Sequence, residues 1–360
     1  MCHKQSGLWH LLPLMQWTPK FQVVMDHITQ MAQAHHSTEE IRDYFKQACI
    51  ELGPEERLNN LYRVRAKRAV PNQPGRLVQF KMNAMQREFY RTHTNRDLIL
   101  KMRQGGVTTL ACLIAFDMSI WNDGVNTAIM AHVLPNVKKY FRICKTAFQQ
   151  FQKDWGDLYP ITSKLDNINE LMINESGSSL TVCMEAKGLT LDFLHISEAA
   201  FVDDDRISES IEAVPLSGWV IMETTPDTAS GYFYDCWQAW HRGDTSLFTG
   251  HFFPWWFQYP EEEDIKTLKA KPDFKYTDKE LLLVSEHNLN KEHIIWRRLK
   301  ISESKDDEGE FMRKYPEDPE TCFLSGSNSV FSAEILGALI KNERVPAFTG
   351  DLQIDKHHAI

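Results

Sequence analysis

The spacing of apolar residues changes period partway along the chain. Behind Ser37-Thr38-Glu39-Glu40, the residues Ile41, Tyr44, Phe45 and Ala48 recur at helical spacing. Hydroxyls and carboxylates at such a position suit a helix start, with Ser37 or Thr38 as the cap. Gly53-Pro54 ends that helix, and the basic run at residues 63–68 is expected on the next one. That run reads either as a solvated face or as a phosphate-binding face. The breaker-rich Pro71-Asn72-Gln73-Pro74-Gly75 then closes a helical N-terminal segment, residues 1–75, separate from the rest. From Arg76 onward, short apolar runs alternate with helical stretches, the pattern of an α/β unit with a mostly parallel sheet. Strands are expected at residues 97–101, 127–133, 179–184, 191–197 and 219–223, and helices at 108–121 and 135–151. Pro135 sits at a helix start, where its missing N–H costs nothing. Beyond Trp240 come an aromatic cluster at residues 252–256 and a charged helical stretch at 279–305. The cluster suits either a core or a DNA-facing stripe.

Composition narrows the class. At ~150 residues per domain, 360 residues allow about two domains. Hydrophobic residues at 42% and charged residues at 25% exclude disordered and fibrous chains. A net charge of −9 excludes a histone-like DNA wrapper, so any nucleic acid must be met by a local basic patch. Seven cysteines without a CxxC pair point to a reducing compartment, not to a disulfide scaffold or a zinc site. His35-His36 and His357-His358 lack companion ligands at metal spacing and read as surface residues. No apolar run reaches the ~18 residues of a membrane span. Residues 8–17 resemble a signal h-region only faintly, since His10 and Pro13 interrupt it. A soluble, cytoplasmic protein is expected.

The candidate chemistry begins at Lys101-Met102-Arg103-Gln104-Gly105-Gly106-Val107-Thr108-Thr109, an expected strand, turn and helix start. A phosphate-binding loop needs that arrangement, because backbone N–H groups and a helix N-terminus must face the phosphates. Gly106 fits the second glycine of G-x-x-x-x-G-K-[ST] and Thr108 the hydroxyl, while Val107 stands in the lysine position and Lys101 in that of the first glycine. The bare motif is equally a tight turn that holds nothing. Residues 191–198 form an apolar run ending in Ser197-Glu198, as a Walker B strand ends in a polar pair. Residues 219–226 form another, ending in Glu223-Thr224-Thr225-Pro226. In an open α/β sheet all three would deliver their polar residues to one edge, where ligands bind.

With these segments in order, the chain resembles the ATPase domain of the large terminase subunit, the DNA-packaging motor of tailed bacteriophages. The resemblance rests on residues 101–109, on His195-Ile196-Ser197-Glu198-Ala199-Ala200-Phe201, on Glu223-Thr224-Thr225-Pro226 followed by Gly231-Tyr232-Phe233-Tyr234, and on residues 315–323. It spans roughly residues 76–335. It implies a P-loop NTPase fold of the ASCE, RecA-like kind at 76–325, with a lid subdomain at about 241–325 and a linker at 326–360 leading toward a C-terminal nuclease. Asp351 and Asp355 read as linker acids, so this chain is not expected to cut DNA. The implied activity is ATP hydrolysis driving double-stranded DNA into a procapsid, with ATP and Mg²⁺ as cofactors. Implied partners are double-stranded DNA, the portal protein, the small terminase subunit and further copies in a five-membered ring. Implied location is the host cytoplasm at the portal, without a membrane and outside the mature virion.

By the same resemblance, Arg103 supplies the phosphate-binding charge, with Lys101 as second candidate. Gln104, Gly105, Gly106, Val107, Thr108 and Thr109 line the nucleotide, and Gln86 stands where the family reads adenine. Thr108 ligates magnesium, Glu198 activates water, and Thr224 or Thr225 couples hydrolysis to movement. Ser197 replaces the Walker B aspartate and reaches magnesium only through water. Lys187-Gly188 replaces an Arg-Gly whose arginine reaches a neighbouring subunit's nucleotide, leaving Lys187, Arg206 and Arg142 as candidate trans fingers. A non-hydrolysing nucleotide-binding scaffold and a helicase-like DNA-dependent ATPase are the alternatives. The helicase would need a second RecA-like motif set, and none follows Trp240.

Overall fold

The structure, a computed structural model, describes residues 15–66, 76–166, 169–244, 246–269, 273–305 and 307–325. Residues 67 and 68 of the expected basic run, the breaker segment 71–75 and everything from 326 on therefore lie outside the described residues.

Helix α1 (Pro19–Gln33) starts on the Thr18 cap with proline in its first turn, and α2 (Thr38–Leu61) starts on a Ser37–Glu40 capping box. Gly53, at φ 80°, breaks α2 at the expected Gly-Pro, since only glycine takes that conformation cheaply. The basic run does not continue as a helix. Tyr62 turns extended, and Arg63–Arg65 forms strand β1, paired antiparallel with β2 (Leu77–Gln79). Arg63 is ion-paired with Asp154, so this arginine is a structural tie and not a free phosphate-binding group. Nor do the N-terminal helices stand apart. Phe21 and Phe45 pack against Trp155 at 5.8 and 5.6 Å between ring centroids, inside the core that backs the main sheet.

After α3 (Ala84–Thr92), strands and helices alternate: β3 (Arg96–Lys101), α4 (Val107–Trp121), β4 (Asn126–Ala131) and α5 (Leu134–Trp155). Then come β5 (Ser163–Asp166), β6 (Glu170–Ile173), β7 (Ser179–Cys183), β8 (Phe193–Ser197), α6 (Asp204–Ile211), β9 (Trp219–Thr224), α7 (Tyr232–His241) and β10 (Thr249–Phe253). One eight-stranded sheet runs β10-β3-β9-β8-β4-β7-β6-β5. From β10 to β7 all pairings are parallel, and β6 and β5 add an antiparallel edge. This is the mostly parallel α/β sheet expected, with β9 inserted between the glycine-loop strand β3 and β8. The five expected strands and two expected helices all form, with ends moved by a few residues.

Alternate strand residues face two separate cores. Ile99, Phe193 and Ile221 join the one under α1 to α5, while Leu98, Leu100, Leu194, Ile196, Val220 and Met222 join the other, with Phe233 and Trp237 of α7. That two-residue period carries Lys101, His195, Ser197 and Glu223 onto the α4/α5 side, at the C-terminal end of the sheet.

The span 241–325, expected as a lid, first contributes β10 to the central sheet, beside β3. Its helices follow: α8 (Glu262–Thr267), α9 (Asp278–His287), α10 (Lys291–Glu303) and α11 (Glu308–Lys314). The stretch at 279–305 is thus two helices, because Asn288 takes a left-handed conformation, φ 52°, as the cap of α9. The aromatic cluster is core. Trp255 is buried, stacks on Trp296 at 5.1 Å and donates its indole N–H to Glu317, which also pairs with buried Arg297.

Candidate functional site at the carboxyl edge of the sheet

The glycine loop closes on itself tightly. Gly106 caps α4 at φ 86°, and a Cβ there would come within 2.8 Å of Gln86 Nε2. Gln104 and Glu198 are non-glycine residues at φ 64° and 54°, two of five such residues among those described. Left-handed backbone on ordinary residues is held only where the surroundings impose it, and such strain gathers at binding sites. Here both positions border one cavity of about 800 Å³.

That cavity is lined by the whole loop from Lys101 to Thr109 except Met102, by Glu198 and Phe201 after β8, and by Thr225, Pro226 and Asp227 after β9. His132, Asn136, Lys139 and Tyr140 close a second side, and Glu310, Arg313 and Lys314 of α11 a third. Five cationic side chains therefore border it: Lys101, Arg103, Lys139, Arg313 and Lys314. The N-terminus of the 15-residue α4 adds its partial positive charge and free amides. The net character suits an anion. The loop is tied to α11, since Arg103 N–H donates to Lys314 O at 2.7 Å. The Arg103 side chain is exposed.

Beneath the loop lies a polar layer at the ends of three adjacent strands. Glu223 is fully buried, and its Oε1 accepts from Thr108 Oγ1 and Ser197 Oγ, each at 2.8 Å. Tyr140 OH meets Ser197 Oγ at 3.0 Å. Lys101 Nζ sits 2.8 Å from Glu223 Oε2 and 3.5 Å from Glu198 Oε1. Burial alone would lower the Lys101 ammonium, but Glu223 and then Glu198 outweigh it and hold it above its ordinary value. Burial likewise pushes the Glu223 carboxyl up, and the Lys101 ammonium with the hydrogen bonds from Lys101 and Thr108 more than reverses that, so it stays ionised. His195 is fully buried and held down at about 4, chiefly by desolvation. It is neutral at ordinary pH, neither ring nitrogen has a hydrogen-bond partner, and Nε2 lies 3.7 Å from Glu223 Oε1. At that distance and charge it is not an ion pair.

Most of the expected site residues meet here: Lys101, Arg103, Gln104, Gly105, Gly106, Val107, Thr108, Thr109, Glu198 and Thr225 border the cavity, with Ser197 directly beneath. Others do not. Gln86 lies behind the loop. Its Nε2 donates to Gly106 O at 2.8 Å and its Oε1 accepts from Asn83 N at 2.9 Å, so both ends of its amide are engaged in holding the loop. Thr224 is buried and takes the Ala200 N–H at 3.4 Å, joining the segment after Glu198 to the end of β9. Lys187 is on an exposed turn, 2.6 Å from Glu209 Oε1, away from the cavity. Arg206 donates to the Met184 carbonyl. Sequence reasoning missed Glu223, Tyr140, Lys139 and Arg313 as site members. The available signal was a glutamate inside the apolar run Trp219-Val220-Ile221-Met222-Glu223, since a carboxylate is almost never fully buried unless paired.

For the implied Mg²⁺, the donor set is chemically suitable. Thr108, Ser197 and a buried carboxylate offer the hard oxygens that ion prefers. Among the described residues, no group of three or more His, Cys, Asp or Glu forms an all-protein metal cage. Nor is any helix there long and apolar enough to cross a membrane.

Compared with solved structures, the chain is similar to the Thermus phage P74-26 large terminase ATPase domain, at 18% identity and a TM-score of 0.43, covering 54% of this chain and 90% of that one. It is similar to the HK97 bacteriophage large terminase at 13% identity and 0.45, covering 66% and 50% respectively. A third similar structure is the large terminase of a thermophilic bacteriophage in complex with ATP-gamma-S, at 11% identity and 0.37, covering 51% and 48%. No family model and no curated protein matches the chain.

Proposed function

We propose that the chain is the ATP-hydrolysing motor domain of a phage large terminase. One observation carries this reading. The glycine loop, Glu198 and Thr225, separated along the chain, border one cation-lined cavity at the carboxyl edge of a parallel sheet, with Ser197 and Thr224 buried directly behind them. The triphosphate lies against the α4 N-terminus, where the loop amides and Arg103 take its oxygens, with Lys139 and Arg313 approaching from the other walls. Glu198 orients water toward the γ-phosphorus. The water oxygen bonds to phosphorus, the β,γ-bridging P–O bond breaks with its electrons going to ADP, and the water proton passes to the Glu198 carboxylate. Thr108, and Ser197 through water, would hold a Mg²⁺ ion arriving with the nucleotide, which would supply neutralisation of phosphate charge. The Thr224–Ala200 hydrogen bond links Glu198 to β9, a route by which loss of the γ-phosphate moves the segment after Thr225.

The resemblance extends the proposal to double-stranded DNA gripped through its phosphates, and so salt-sensitive. It extends likewise to the portal, the small subunit and a ring of copies in the host cytoplasm. The test is Mg²⁺-dependent phosphate release with DNA and portal present. Glu198→Gln should bind nucleotide normally and hydrolyse it ~10²–10⁴-fold more slowly. A wild-type rate no higher than that of an Arg103→Ala, Glu198→Gln double variant ends the reading.

A further inference from the structure

The sheet end lacks the aspartate that would ordinarily bring a negative charge to a nucleotide-bound cation, because Ser197 occupies its place. We infer that Glu223 performs that task from the neighbouring strand, and that Lys101 is its counter-ion until nucleotide and cation arrive together. This rests on the reading of the cavity as a nucleoside triphosphate site.

Three features carry it. Ser197 and Glu223 are register partners across β8 and β9, so their side chains leave the same face side by side. The longer glutamate, on the strand adjacent to β3, delivers its carboxylate to the hydroxyls of both Thr108 and Ser197, the two groups that would face the cation. A carboxylate that served only to neutralise a buried lysine has no need to gather two hydroxyls, one of them in the phosphate loop.

The charges agree. Two carboxylates, Glu198 and Glu223, share the single Lys101 ammonium, and both ring nitrogens of the buried His195 beside them lack a hydrogen-bond partner. Lys101 borders the cavity while Glu223 is covered by Lys101 and Thr108. When a triphosphate enters, the ammonium exchanges Glu223 for phosphate oxygens, and a divalent cation takes its place at the carboxylate. Mg²⁺ is commonly held in this way, by one or two carboxylates together with substrate phosphates.

The experiment compares the affinity of a fluorescent ATP analogue in Mg²⁺ and in EDTA, with thermal melting as a check on folding. Wild type should bind more tightly in Mg²⁺. Glu223→Gln, which keeps the shape and the acceptor oxygen, should lose about tenfold or more of that gain while its EDTA affinity stays within about threefold. Ser197→Asp added to Glu223→Gln should restore the gain to the wild-type level, because it returns a carboxylate to the same place. A Mg²⁺ gain that survives Glu223→Gln overturns the inference, and so does a loss that Ser197→Asp does not rescue. If the single variant fails to fold, the double variant decides, since it again gives Lys101 a partner. A gain matching wild type supports the assignment. A gain well above wild type means that the wild-type site had no carboxylate on the cation, and overturns it. Wild type that binds no nucleotide under either condition refutes the nucleotide reading itself.

Discussion

Two buried ion pairs sit on the same side of the sheet and are built on opposite principles. In the first, Arg57 of α2 grips Asp117 of α4 through Nε and Nη2 at 3.0 and 2.7 Å, and gives Nη1 to the Cys49 carbonyl at 3.1 Å. Tyr62 OH donates to the remaining reach of Asp117 at 2.5 Å and itself accepts from Trp121 Nε1 at 3.1 Å. Donors and acceptors match. In the second, one ammonium serves two carboxylates, two hydroxyls crowd one oxygen, and His195 has no partner at all. A network that only holds a fold can be completed; one that must exchange partners with a ligand is left unbalanced in the free protein. The first pair is an anchor for the N-terminal helices, and the second is machinery under the proposed function.

The comparison breaks most readily at the anchor. Asp117→Ala leaves Arg57 and Tyr62 buried without their acceptor, and should cost about 3–5 kcal/mol in urea unfolding. A loss under ~1 kcal/mol would mean that water reaches the pair and that it anchors nothing. Next in size is the acid sensitivity of the unbalanced cluster in the nucleotide-free protein. His195 is held down at about 4, so the unfolded chain, titrating near 6.5, takes up its proton first as pH falls. The contribution of His195 to stability is therefore constant above about pH 6.5 and lost between there and about pH 4, by about 3 kcal/mol. His195→Leu should flatten the curve over that window. An unchanged slope would show that the imidazole is hydrated or paired.

Third is Glu223→Gln, whose cost in stability should be only about 1–3 kcal/mol. Lys101 keeps Glu198 and borders the cavity, and the amide still accepts from both hydroxyls. A cost as large as that of Asp117→Ala would make the two clusters alike and remove the distinction between anchor and machinery. Glu223 also marks where the sequence stopped being legible. The strands could be read because their apolar runs are continuous, and the glycine loop because strand, turn and helix follow one another along the chain. Which strand lies beside which is not local information. Nothing in the sequence says that β9 runs between β3 and β8, so the partnership of Ser197 with Glu223 was invisible, although a glutamate in an apolar strand was a warning. The same limit hid β10, whose run 249–253 finds its partner β3 some 150 residues earlier. Arg63–Arg65 failed for a different reason: a basic run has no period of its own, and pairing with β2 decided its conformation.

The smallest effect is the one that separates the reading of the sequence from that of the structure. As an adenine reader, Gln86 would discriminate between bases; as the structure has it, both ends of the amide hold Asn83 and Gly106. Gln86→Ala removes the bond to the Gly106 carbonyl, at a cost of about 1 kcal/mol, and frees a loop whose amides must be aligned before a phosphate arrives. The clamp therefore predicts faster hydrogen exchange across residues 104–109, together with weaker binding of ATP and GTP by the same factor. Adenine reading predicts that ATP alone weakens while exchange in the loop stays as it was. Because α3 carries Gln86 and Asn83 against the loop from outside the cavity, equal loss for both nucleotides is the expected result.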